Sequence, residues 1–172
     1  VLPIAMTNQQ TFHVIGHELV HAFQYHIVLG GDSTGLNNLA NLPLFLVEGL
    51  AEYMSIGSKD AQTAMWMRDA IQQGQIPGIK DLVNPRFFPY RWGQTFWSYL
   101  TGRFGDQVIR PMFQATAAYG FGNAVALVLG TTTDSLSADW QRNLQAFYNP
   151  FISGKDEKPV GRVIFNEQNA GR

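Results

Sequence analysis

The feature that most restricts this chain is a single helical turn, His17-Glu18-Leu19-Val20-His21. Residues i and i+4 of a helix lie one above the other on the same face. Both imidazoles can therefore offer a nitrogen to one cation at roughly 2.0–2.1 Å, the bond length of histidine to zinc. Glu18 lies about 100° around the helix from His17. It can face water activated by such an ion without being a ligand, and take its proton as the water attacks a carbonyl. Two histidines leave a catalytic zinc one protein ligand short. The chain has no cysteine, so no thiolate is available and the missing ligand has to be a carboxylate or another histidine.

The candidate third ligand is Glu48. It sits in a run that is otherwise apolar around it (Leu44, Phe45, Leu46, Val47, Leu50), and a carboxylate is costly to bury there unless paired or bound to a metal. The chain between His21 and Glu48 is long enough for a loop and an antiparallel return. Glu52, one turn further on the same face, can accept a hydrogen bond from the non-metal nitrogen of a ligand histidine. Gly49 is expected to let the first two helices approach closely. His13 is read as structural or solvent-facing, because a catalytic zinc keeps one position open. His26 falls off the ligand face.

The rest of the sequence reads as a mainly α protein with minor β at the N-terminus. Val1–Met6 is an edge-strand candidate carrying Pro3. Thr7 and Gln10 form a capping box that opens a helix over about 8–28. Phe12, Ile15, Leu19 and Phe23 recur at helical spacing and mark its expected buried face. Gly16 inside that helix implies close approach of another backbone. Further helices are expected at about 43–56, 60–73, 91–104, 106–118, 123–129 and 134–148, punctuated by Gly57, Gly74, Gly105 and Gly130. Asp60 reads as an N-cap, Pro111 as a kink and Pro150 as the last stop. The aromatic cluster over 87–97 reads as core. Residues 1–149 form the predicted catalytic domain. Residues 150–172 form a polar tail with a strand candidate at Val160–Phe165.

Length and composition agree with one folded domain: 172 residues, 45% hydrophobic and 13% aromatic. A net charge of −1 supplies no footprint for nucleic acid or an anionic membrane. No apolar run approaches the length of a membrane span, and no insertion is expected. The chain opens at Val1 rather than methionine, so the lack of a signal peptide carries little weight.

His17-Glu18-x-x-His21 followed by Glu48-Gly49-Leu50-Ala51-Glu52-Tyr53 resembles the gluzincin metallopeptidases, the clan of thermolysin and the aminopeptidase N group. The resemblance implies zinc held by His17, His21 and Glu48, with Glu18 as the base, and a contact from Glu52 to His17. Pro89-Tyr90-Arg91-Trp92-Gly93 is similar to the Pro-Tyr-Glu-Lys-Gly segment of aminopeptidase N-like enzymes. That similarity implies that Tyr90 donates to the oxyanion of the tetrahedral intermediate. Here Arg91-Trp92 replaces Glu-Lys, so the match is partial.

Most of residues 10–148 also resembles the peptidase MA-like domains that precede TolB-type β-propellers in bacterial envelope proteins. The implied fold is the helical catalytic part of a zincin, with most of its upstream sheet missing. The implied setting is periplasmic or secreted, with a C-terminal propeller beyond this chain. The expected activity is zinc-dependent hydrolysis of a peptide or protein substrate. The alternatives are a catalytically silent zincin-like scaffold and a zinc hydrolase acting on a non-peptide amide or ester.

Overall fold

The structure is a computed structural model that describes residues 7–29 and 38–154. The chain is mainly α: seven α-helices and no strand occur among the described residues. They are α1 (Asn8–Leu29), α2 (Leu44–Ile56), α3 (Ala61–Gln72), α4 (Pro89–Phe104), α5 (Ile109–Tyr119), α6 (Phe121–Leu129) and α7 (Thr133–Ile152). The two predicted strands, Val1–Met6 and Val160–Phe165, lie outside the described residues. No described helix is long and apolar enough to cross a membrane.

Local chemistry explains most helix starts. The Thr7 hydroxyl accepts from the Gln10 backbone N–H at 3.2 Å while the Gln10 side-chain Oε1 accepts from the Thr7 N–H at 2.9 Å, the reciprocal pair of a capping box. The Asp60 carboxylate accepts from the Thr63 N–H at 2.7 Å and caps α3. Pro89 opens α4 two residues earlier than predicted, where its missing N–H costs nothing. Asp106 begins a short 3-10 turn, Asp106–Val108, and α5 follows it. Pro111 therefore falls in the first turn of α5 and has no helical bond to break. Pro150 does not stop the last helix, because α7 continues through it to Ile152.

The centre of the molecule is the crossing of α2 and α4. A Cβ on Gly93 would lie 2.6 Å from the Gly49 Cα and would overlap the Phe45 carbonyl oxygen. Only two glycines let these backbones touch. Gly49 thus serves the α2–α4 contact rather than the expected α1–α2 contact. Close approach between α1 and α2 comes from Gly16, where a Cβ would meet the Ser55 Cβ at 3.3 Å. Around the crossing, Phe45, Leu46, Phe96, Trp97, Phe113 and Trp140 are fully buried. The Trp97 indole N–H donates to the Leu46 carbonyl at 2.9 Å and ties α4 to α2.

Helix α1 departs from expectation. Its predicted buried residues are exposed: Phe12 by 76%, Ile15 by 47%, Leu19 by 55% and Phe23 by 59%. The face that meets α2 carries His17 and Gln24, both buried, with Val20, Ile27 and Val28 partly buried beside them. From the helical repeat, that face lies about 120° around from the apolar stripe. Helix α2 covers one side of α1, and that side is chosen by polar hydrogen bonds and Gly16, not by the stripe.

Candidate metal centre

Helices α1 and α2 run antiparallel, pairing Gly16 with Ser55, His17 with Glu52, His21 with Glu48 and Gln24 with Val47. The register brings three acceptor atoms together. Nε2 of His17 lies 3.1 Å from Oε2 of Glu48, and Nε2 of His21 lies 3.5 Å from the same oxygen. Ligand atoms on a tetrahedral zinc with bonds of 2.0–2.1 Å stand about 3.3 Å apart. The two histidine–Glu48 separations therefore match edges of such a tetrahedron, and all three ligand atoms lie within 4.8 Å of one another.

The outer nitrogens of both imidazoles are occupied. Nδ1 of His17 lies 3.1 Å from Oε1 of Glu52, so a proton on Nδ1 is donated to that carboxylate. Nδ1 of His21 lies 2.8 Å from Oε1 of Gln24. The Gln24 amide is oriented by its other end, since its Nε2 donates to the Val47 carbonyl at 2.8 Å. His21 must then carry its proton on Nδ1. In its neutral form each imidazole turns a bare Nε2 lone pair toward the Glu48 carboxylate. Three lone pairs facing one point need a cation between them, a proton or a metal ion.

Glu52 is 3% exposed, and its charge is fully engaged. Oε1 receives His17 and also His13, whose Nε2 is 2.9 Å away. Oε2 accepts from Arg91 at 3.1 Å. Arg91 in turn donates to Asp60 at 3.3 Å and to Gln62 at 2.9 Å. Burial pushes the Glu52 carboxyl up, but the His17 hydrogen bond and the charges of His13 and Arg91 outweigh it and hold the pKa below its ordinary value. The hydrogen bond to Glu52 raises the His17 pKa; burial opposes the rise and Glu48 adds to it.

Two trios of donors are close enough to share an ion: His17, His21 and Glu48, and His13, His17 and Glu52. The Arg91 guanidinium beside Glu52 repels a second cation from the latter. Among the described residues no cationic side chain touches the former, and its two imidazoles and one carboxylate are donor types that zinc takes.

Glu18 is exposed and makes no hydrogen bond or ion pair among the described residues. Tyr90, in the first turn of α4, stacks on the His17 ring with centroids 5.6 Å apart and planes 20° from parallel. Burial and the Glu48 carboxylate beside its hydroxyl raise the Tyr90 pKa, and Glu52 and Glu18 add to the effect. Its phenol O–H is a donor lying beside the Glu48 carboxylate. His26 is exposed.

Three residues of this cluster escape a reading of the motif alone. His13 anchors Glu52, Arg91 neutralises it, and Gln24 orients His21. Gln24 shows one sign in the sequence: it is a polar residue three positions after His21, on the helix face that carries the ligands. Arg91 shows none, because its partner lies on another helix. The chain matches no protein-family model, no curated protein and no solved structure.

Proposed function

We propose that this protein is a zinc-dependent metallopeptidase of the gluzincin type. The observation that carries the reading is the convergence of His17 Nε2, His21 Nε2 and Glu48 Oε2 from two helices, with both outer histidine nitrogens already engaged. Two imidazoles and one carboxylate, with a corner left open, are the donor set of catalytic zinc in thermolysin-like enzymes. Zinc bound there supplies Lewis acidity toward a carbonyl oxygen and brings the pKa of water to roughly 7.

The chain's own side chains supply the rest. Glu18, exposed beside the ligand face, accepts a proton from the attacking water as the new C–O bond forms. It returns that proton to the amide nitrogen as the C–N bond breaks. Tyr90 donates its phenolic hydrogen to the carbonyl oxygen as negative charge develops, a contribution worth about 2.7–4 kcal/mol for a well-placed donor. Glu52 keeps His17 in the tautomer that leaves Nε2 free, and Gln24 does the same for His21. Arg91 and His13 hold Glu52 in place.

The test is metal content and peptide hydrolysis measured on the same preparations. Wild-type protein is expected to hold about one zinc per chain, and His21→Ala to lose it. Glu18→Gln is expected to keep its zinc while cleavage of a mixed peptide pool falls by about 10²–10⁴. Wild-type protein that carries no zinc overturns the metal centre. Wild-type protein that carries zinc, and is as inert as Glu18→Gln, overturns the peptidase and leaves a zinc-holding scaffold.

A further inference from the structure

A second concavity lies between α3, α4 and α7, enclosing about 500 Å³. That volume is within the range of small-molecule sites. Its α7 wall is apolar and aromatic, formed by Leu144, Phe147, Tyr148 and Phe151, and Ala64 of α3 faces it. Phe147 and Phe151 pack on each other at 6.0 Å yet remain 54% and 52% exposed. The aromatic surface is assembled but left uncovered by the described residues.

The charged groups around it are unequal. Lys59 and Arg68 are its cations, and Asp60 is its one anion. The Asp60 charge is committed, since its carboxylate receives Arg91 at 3.3 Å and the Thr63 N–H at 2.7 Å. Arg68 is half-buried and has no carboxylate within ion-pair distance among the described residues. A guanidinium at a cleft wall without an acid is free to take a carboxylate, the partner it binds best. The wall favours an apolar body, and the uncommitted charge favours an anionic head.

We propose that this cleft binds an organic carboxylate carrying an aromatic or branched apolar body, with Arg68 receiving the carboxylate and the α7 aromatics receiving the body. Such a group arrives either as a free aryl-alkanoic acid or as the C-terminal residue of a peptide ending in an aromatic side chain. The site is separate from the candidate metal centre and does not depend on the peptidase reading.

The experiment titrates 4-phenylbutyrate and its neutral amide into the protein by calorimetry, and repeats both in Arg68→Gln, Ala64→Phe and His21→Ala. A blocked peptide ending in free phenylalanine, and its C-terminal amide, form the second arm. Saturable binding of 4-phenylbutyrate is expected, weakened about tenfold by Arg68→Gln or by the amide, as for loss of one charge-assisted contact. Ala64→Phe, which fills the cleft, is expected to abolish it. His21→Ala is expected to leave it unchanged, which separates the cleft from carboxylates captured by zinc. Binding of the peptide with the same dependence on Arg68 identifies a peptide C-terminus as an acceptable source, and its absence restricts the site to small acids. Equal affinity for acid and amide, loss of binding in His21→Ala, or no saturable binding of 4-phenylbutyrate overturns the proposal.

Discussion

Helices α1 and α4 both carry large apolar residues at helical spacing, and they use them in opposite ways. Helix α4 buries Trp92, Phe96, Trp97 and Leu100 against α2, α7 and their neighbours. Helix α1 buries His17 and Gln24 instead and leaves Phe12, Ile15, Leu19 and Phe23 in the open. Periodicity identifies a face; it does not say what covers the face. On α4 burial follows hydrophobicity, because neighbours surround it on several sides. On α1 the neighbours cover one side, and the fully buried side chains there are polar, with Val20, Ile27 and Val28 partly buried beside them. Burying His17, Gln24 and Glu52 is tolerable only because each has its hydrogen-bond partners.

The same side chain removed from each helix gives the sharpest test of that contrast. Phe96→Ala is expected to cost about 3–5 kcal/mol by chemical denaturation, since Phe96 is fully buried and its loss leaves a cavity. Phe12→Ala, at 76% exposure, is expected to change stability by no more than about 0.5 kcal/mol. A large loss at Phe12 would mean that its stripe is covered in solution, and the contrast would fail.

A smaller effect probes the polar side of α1. Gln24→Ala removes the acceptor that orients His21 and the side-chain donor that ties α1 to the Val47 carbonyl. If the proposed centre holds zinc, its affinity, measured by competition with a chromogenic chelator, is expected to fall about 10–100-fold with His17, His21 and Glu48 unchanged. Unchanged affinity would show that Gln24 is packing alone.

The smallest expected effect is a slope with pH. The His17 pKa is raised by its hydrogen bond to Glu52, so the metal-free protein gains stability below the unfolded value near 6.5 and loses that gain as pH rises through the raised value. Zinc at the proposed site would compete with that proton. Its affinity should therefore climb with pH until His17 is neutral, by at most about tenfold per unit for one displaced proton, and then level off. An affinity that does not vary across this window would place the proton elsewhere.

Much of this is legible in the sequence alone. Two histidines four apart share a helix face because the repeat is a property of the local backbone, and the capping box at Thr7 and Gln10 is equally local. Helix ends followed glycine and proline, except where Pro150 lay within the last turn of α7 and spared it. The pairing of Glu48 with the histidine face needed only a loop and an antiparallel return. What could not be read were the partners of Gly49, His13 and Arg91. Each contact joins residues distant in sequence, and no spacing rule links them.

The sequence by itself determined the helices, the mainly α class and the set of side chains able to hold a cation, because those depend on neighbours within a turn or two. Only the tertiary structure decided which face of α1 is covered, that Gly49 meets Gly93, and that Gln24, His13 and Arg91 complete the cluster. Those outcomes depend on where α2 and α4 lie, and that is set by the packing of the whole core at once.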